Sequence, residues 1–342
     1  MEPKKLAVLR ILQILNEYSD VDHPLTQEEI LDKLYNLYGI ELERKALGRH
    51  ISDLIDVFEK DALNKKNGEY VIITSDKKRG TYIEKRVFED SELRMLIDGV
   101  LSSKYIHAKH STDLIKKLSS LSNKYFRSNI KNVYSINDWN KSDNYLLFFN
   151  IDLIDEAIEK NTQIKFNYNK YGIDKKLHKG KDHIVSPYQL ILHNQRYYLM
   201  ALEEKWKNIT YYRLDQIKDM ELLEKVATPL REVEGYESGI DYRDLSSSRP
   251  YMYTDKAEIV EFYAREAMLG QIIDWFGTNI DIEKVEERKI KVRLKVSLDA
   301  MTYWALQYIK YVEIISPISR REKIKNALEL GMEKYKEEKV EK

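Results

Sequence analysis

Ser186-Pro187-Tyr188-Gln189-Leu190-Ile191-Leu192-His193-Asn194-Gln195-Arg196-Tyr197-Tyr198-Leu199-Met200-Ala201, followed a few residues later by Tyr211-Tyr212-Arg213-Leu214-Asp215, decides how the middle of this chain folds. Tyr188–Leu192 and Arg196–Leu202 are runs of strand-favouring residues, and His193-Asn194-Gln195 between them is a polar break whose Asn tolerates positive φ. That pattern predicts a β-hairpin. A third run at Ile209–Leu214 and an earlier one at Gln163–Tyr168 extend it to a small, strongly bent antiparallel sheet. Because side chains alternate along a strand, Tyr197, Leu199 and Ala201 share one face and Tyr198 and Met200 the other, while Tyr211 and Arg213 lie opposite Tyr212 and Leu214.

With these residues in place the sequence resembles the WYL-domain transcriptional regulators of bacteria, named for a Trp-Tyr-Leu triplet. The triplet is Tyr197-Tyr198-Leu199 here, with Tyr197 where the family usually has Trp. Pro187 with Leu190 precedes it, and Arg213-Leu214-Asp215 with Ile217 follows. The combination carries the resemblance, since Tyr-Tyr-Leu alone means little in a chain with 25 Tyr.

Composition sets limits. The 342 residues imply two or three domains. Lys+Arg 57 against Asp+Glu 57 leaves no global field toward nucleic acid, so any such surface must be a local patch. Absence of Cys excludes disulfides and thiol chemistry and fits a reducing cytoplasm. The start of the chain does not read as a secretory signal, and no apolar run approaches the ~20 residues of a membrane span. A soluble, cytoplasmic protein is expected.

From the N-terminus, Val8, Ile11, Leu12 and Leu15 recur at helical spacing within Leu6–Tyr18. Thr26-Gln27-Glu28-Glu29 is a capping box that opens a second helix, which Gly39 ends. A third, Glu43–Phe58, points Leu47, Ile51 and Leu54 inward and carries Arg44, Lys45, Arg49, His50 and Ser52 mostly outward, with Gly48 allowing close approach. Strands Glu69–Thr74 and Gly80–Lys85 then flank a cationic tip containing Lys77, Lys78 and Arg79. Three helices and such a hairpin make a winged helix-turn-helix over residues 1–86, whose third helix would read guanine edges while the tip holds phosphates.

Two further helices within Phe88–Asn129 form a helical linker (87–144) that closes with a polar stretch, Asn132–Asn144. A short helix capped by Asp152 leads into the barrel (145–228). Gly235, Gly239 and Ser246-Ser247-Ser248 mark a second linker (229–254). The C-terminal part (255–342) alternates as strand Ala257–Tyr263, helix Arg265–Phe276, strands Ile280–Val285 and Lys289–Val296, helix Leu298–Tyr308, strand Tyr311–Ser316 and a closing helix from Ser319. That is the β-α-β-β-α-β order of a ferredoxin-like unit, with Trp275 and Trp304 as core anchors.

The expected class is therefore α+β and multidomain, with an Sm-like or SH3-like β-barrel in the middle. His107, His110, His178 and His183 lack companions at metal-ligand intervals, so no metal is expected. No nucleophile elbow, phosphate loop or dinucleotide fingerprint is present, so neither catalysis nor a cofactor is expected. The resemblance implies a ligand-responsive regulator that binds a double-stranded DNA operator as a homodimer, with a C-terminal extension often involved in dimer contacts. It also implies a nucleotide or single-stranded nucleic-acid effector, held in this sequence by Ser186, Tyr188, Tyr198 and Arg213, and a setting in phage defence or the DNA damage response. Arg213 could instead pair with Asp215 or with a linker carboxylate. The competing readings are an Sm-like RNA-binding protein and a non-catalytic scaffold.

Overall fold

The computed structural model describes residues 2–64, 70–130, 141–142, 144–241 and 248–336. They divide into two compact units, Met1–Tyr145 and Leu146–Lys342.

In the first unit, helices α1 (Ala7–Tyr18), α2 (Gln27–Tyr38) and α3 (Arg44–Asn64) precede a hairpin of β1 (Ile72–Asp76) and β2 (Gly80–Lys85). The capping box forms in full: Thr26 accepts from the Glu29 amide, Glu29 reaches back to Thr26, and Gly39 closes α2 at φ 66°. The apolar stripes of all three helices meet Ile73 and Ile83 of the hairpin in one core containing Ile11, Leu15, Ile30, Leu34 and Leu47. Leu25, between α1 and α2, bridges Thr81 through paired backbone bonds of 2.9 and 2.8 Å. Gly80 makes that possible, since at φ 114° a Cβ would stand 2.4 Å from the Leu25 carbonyl oxygen. Helix α3 runs six residues past its expected end at Phe58.

Helices α4 (Asp90–Ser102), α5 (Ala108–Ser119) and α6 (Lys124–Ile130) follow, where two had been expected. The break falls at Ser120–Asn123 because the Asn123 side chain caps a new helix, accepting from Tyr125 and Phe126 amides at 3.0 and 2.9 Å. Of the polar stretch Asn132–Asn144, residues 132–140 and 143 lie outside the described residues, as do Glu69 of the expected first strand and Ser246 and Ser247 of the expected second linker.

The second unit opens with α7 (Leu147–Lys160). Asp152 is not its cap but lies inside it. The helix starts earlier because Leu147 and Asn150 are buried, and Asn150 donates to the Ile217 carbonyl at 3.1 Å. A five-stranded antiparallel sheet comprises β3 (Thr162–Tyr171), β4 (Leu177–His193), β5 (Arg196–Glu203), β6 (Asn208–Arg213) and β7 (Ile217–Val226), in the order β6-β5-β4-β3-β7. The β4–β5 turn is the two residues Asn194 and Gln195, both at positive φ (45° and 59°), which is the geometry a two-residue hairpin demands. Strand β4 extends far upstream of the expected Tyr188. Pro187, which has no amide to give, is accommodated by a register shift between Pro187 and Gln189 that leaves Tyr188 bulged.

The expected barrel closure is not found among the described residues. Edge strands β6 and β7 are consecutive in sequence, so the sheet must curl to bring them together, yet no ladder joins them. A 3-10 turn at Leu214–Gln216 takes up the step, and the Arg213 amide donates to the Tyr168 hydroxyl (3.3 Å) rather than to a strand partner.

The C-terminal part contains β8 (Ala257–Arg265), α8 (Leu269–Phe276), β9 (Asp281–Glu286), β10 (Lys289–Ser297), α9 (Leu298–Gln307), β11 (Val312–Ser316) and α10 (Ile318–Lys334). Its four strands are antiparallel in the order β11-β8-β10-β9. Trp304 is fully buried there between Phe262 and Phe276, at ring-centroid distances of 5.6 and 4.9 Å. Trp275 only packs against that core from its margin. Among the described residues no helix is long and apolar enough to cross a membrane.

Candidate functional site

Tyr198 on β5 and Arg213 on β6 are direct register partners, so their side chains stand side by side on one face of the curled sheet. The 3-10 turn that follows brings Asp215 back beneath them. Arg213 grips it in bidentate fashion, Nε to Oδ1 at 3.1 Å and Nη2 to Oδ2 at 2.7 Å, and Arg196 Nη1 reaches the same Oδ2 at 3.0 Å. The Asp215 side chain is only 2% exposed, while Arg213 and Arg196 keep 26% and 31%. Two guanidiniums on one carboxylate leave the trio with one positive charge, directed toward solvent beside a half-buried tyrosine ring. Burial works against the Arg213 cation, but the Asp215 carboxylate outweighs it and raises the pKa. Burial raises the Tyr198 phenol, with Arg213 and Arg196 opposing it.

Sequence reading singled out Arg213 and named Asp215 as its possible partner, and missed Arg196. The signal was available: Arg196 lies two residues before Tyr198 on the same strand, and strand parity puts both on one face.

Ser186 and Tyr188 are elsewhere. Ser186 pairs with Leu202, four strand positions from Tyr198, or roughly 13 Å of β5. Its hydroxyl is buried, donating to Glu204 Oε1 at 2.5 Å and accepting the Thr228 amide at 2.9 Å. The Thr228 hydroxyl also reaches Glu204, at 3.1 Å, and Tyr188 donates to the Thr228 carbonyl at 2.7 Å. Burial pushes the Tyr188 phenol well up, Glu204 and Glu232 adding to it. This end of the sheet therefore locks the chain leaving β7 onto β4. The four candidate ligand residues form two separate pairs.

The opposite face holds an aromatic and acid cluster that sequence reading did not identify. Glu203, nearly buried, accepts from the Tyr212 hydroxyl at 2.6 Å and meets His183 Nδ1 at 2.6 Å. Phe166 and Tyr168 pack edge-on against Tyr212, at 5.1 and 5.2 Å between ring centroids. Burial would raise the Glu203 carboxyl, but bonds from Tyr212 and His183 prevail and hold it below its usual value. Burial and the neighbouring Glu203 raise the Tyr212 phenol.

In the first unit, Arg44, Lys45, Arg49 and Ser52 are exposed on α3 and His50 is partly so. Arg44 meets Glu28 at 3.5 Å, but with both side chains more than two-thirds exposed that pair contributes little. Lys77, Lys78 and Arg79 form the exposed β1–β2 turn, where Asp76 Oδ1 accepts the Lys78 and Arg79 amides, each at 2.7 Å. The Arg79 guanidinium bends back to the Val21 carbonyl and lies 5.3 Å from the Tyr82 ring centre.

The family model for the WYL domain matches residues 150–222. This chain carries a WYL domain. No curated protein matches the chain. Among solved structures, it is similar to the proteasome accessory factor B/C (PafBC) of Arthrobacter aurescens, at 15% identity and a TM-score of 0.29, over 97% of this chain and 49% of that one. It thus spans about half the length of that protein. A second similar structure, described as a CRISPR Cas-related protein, has 16% identity and a TM-score of 0.37, over 97% of this chain and 84% of that one. The matched WYL segment contains Ser186, Tyr188, Arg196, Tyr198, Arg213, Asp215 and the whole Glu203 cluster.

Proposed function

We propose that this chain is a non-catalytic, ligand-responsive bacterial transcriptional regulator. It binds duplex DNA as a homodimer through the first unit, and its WYL domain senses a nucleotide or a short single-stranded nucleic acid. The observation that carries the reading is the net cation of Arg196, Arg213 and Asp215 beside the Tyr198 ring. A guanidinium has five N–H donors, so a fork partly spent on Asp215 keeps donors for a phosphate, and the ring offers a base a stacking surface.

The winged helix-turn-helix reading rests on the order of three helices and a hairpin, the single Leu25–Thr81 bridge that ties the segment before α2 to the hairpin edge, and basic residues on both α3 and the hairpin turn. Gly48 supports it by facing open space. The strand order β11-β8-β10-β9 supports a ferredoxin-like extension, to which we assign dimer contacts.

The proposal is tested by measurements on each part. Selection from random duplex DNA should enrich an inverted repeat with half-site centres about 34–36 Å apart or a multiple of that. Arg49→Ala should relax its sequence preference at a cost of roughly 1–3 kcal/mol, whereas Lys78→Ala should weaken all duplexes alike. Arg213→Ala, once shown by circular dichroism to be folded, should abolish the effector's influence on operator affinity, a coupling of about 1–3 kcal/mol, and leave basal binding nearly intact. A monomer both free and on DNA sinks the dimer. A folded Arg213 variant with a full response reduces Arg213 to a partner of Asp215. Tight binding to single-stranded RNA with no enriched duplex favours an RNA-binding protein instead.

A further inference from the structure

The β3–β4 hairpin extends beyond the body of the five-stranded sheet, and its outer part is a dense cluster of cations. Between residues 169 and 181 the sequence is Asn-Lys-Tyr-Gly-Ile-Asp-Lys-Lys-Leu-His-Lys-Gly-Lys, five lysines against one acid. Lys170, Lys175, Lys176, Lys179 and Lys181 are all exposed.

The arm is built rather than loose. At its base the Asn167 side chain grips Gly180 through both backbone groups, each at 3.1 Å, and donates to Asp182 at 2.9 Å. A Cβ on Gly180 would lie 1.8 Å from the Tyr168 carbonyl oxygen, so the two strands touch there. At the tip Asp174 Oδ1 accepts the Lys176 amide at 3.1 Å and meets His178 Nε2 at 2.8 Å, and the Gly172 amide donates to the Lys176 carbonyl at 2.9 Å.

The placement of the lysines selects the partner. Lys170 pairs with His178 and Lys181 with Tyr168, so Lys170 and Lys181 share a face. A register shift between Tyr168 and Lys170 puts Lys179 on the other face, and Lys175 and Lys176 cap the end. A flat anionic surface such as a lipid headgroup layer meets one face of a ribbon. A groove lined by phosphates on both walls meets both faces and the tip. The major groove of a duplex, about 12 Å wide and 8.5 Å deep, admits a two-stranded ribbon. From Tyr168 to Tyr171 the arm rises about 10 Å before its turn begins, which suffices to reach the floor.

We propose that the Lys170–Lys181 hairpin arm is a second duplex-binding element, which enters a groove of DNA and contacts phosphates on both walls without reading sequence. The chain has no Cys, so Ile173→Cys, at a fully exposed tip residue, gives a unique attachment point for an iron chelate that cuts nearby DNA. With the full chain and a 30-base-pair duplex of mixed sequence, both strands should be cut around one groove. Replacing all five lysines with Gln should lower cutting at least tenfold and reduce the salt slope of binding by about 3 to 4.5, at roughly 0.9 per lost contact. Replacing them with Arg should restore both. Cutting that persists in a chain carrying Arg49→Ala and Lys78→Ala supports the arm independently of the role proposed for the first unit. Background cutting while the duplex stays bound overturns the proposal, as does an unchanged salt slope. So does cutting confined to single strands, or a five-lysine variant that loses only its binding to phosphatidylserine vesicles.

Discussion

One face of the WYL sheet carries two polar groups about four strand positions apart, and they solve opposite problems. At the Arg213 end, two cations share one carboxylate and a positive charge is left over. At the Ser186 end, one carboxylate collects donors from Ser186, Thr228 and Lys207. Its pKa falls despite burial, because those three bonds stabilise the anion. The first arrangement keeps capacity for an outside anion, whereas the second spends its capacity on the chain itself. Proximity to a family motif therefore does not by itself separate a group with donors to spare from a clamp; counting donors against acceptors does.

The largest test of this contrast is Asp215→Ala. It strands two partly buried guanidiniums, and with their residual exposure discounting the usual penalty it should cost about 2–3 kcal/mol in urea unfolding. A cost below about 1 kcal/mol would mean that solvent already satisfies both arginines. Next, Ser186→Ala should cost about 1–2 kcal/mol by leaving the Thr228 amide without its acceptor, with no change in effector response. A lost response at normal stability would move Ser186 into the recognition group. Arg196→Lys keeps the charge but loses the fork, so effector binding followed by calorimetry should weaken roughly fivefold, about 1 kcal/mol.

The smallest effect belongs to the opposite face. Glu203 has a lowered pKa, so its stabilising contribution is complete above the unfolded value near 4.5 and is lost as pH falls through the lower folded value. Glu203→Gln should flatten that acid limb in unfolding curves followed from pH 6 to pH 3. An unchanged limb would assign acid sensitivity to other carboxylates whose pKa is lowered, among them Glu204, Asp182 and Asp299.

Local chemistry was readable in the sequence. The capping box at Thr26, the turn at Asn194, the cationic hairpin and the alternation from Ala257 onward depend on neighbours in the chain, and each formed close to its expected place. What escaped depended on distant partners. Strand β7, Ile-Lys-Asp-Met-Glu-Leu-Leu-Glu-Lys-Val, buries only Ile217 and Met220, and so lacks the alternation of a half-buried strand. Asn123 and Asn150 redrew helix ends through bonds that periodicity does not encode. The Glu203 cluster draws on residues up to 46 positions apart, from Phe166 to Tyr212, and assembles only once the strands pair.

Strand order also sets the sequence in which this domain can be completed. The pairings β3–β4, β4–β5 and β5–β6 join neighbours in the chain, whereas β7 must return to β3 across some fifty residues. Loop-closure entropy makes such a contact the slow, late one. Asp215 lies in the turn that feeds this last pairing. On a growing chain the three hairpins can form while the arginines still lack a fixed counterion, and the ion-paired trio is complete only when β7 docks. A chain cut after Arg213 would keep its hairpins but lack Asp215, so the proposed effector site would exist only in the completed domain.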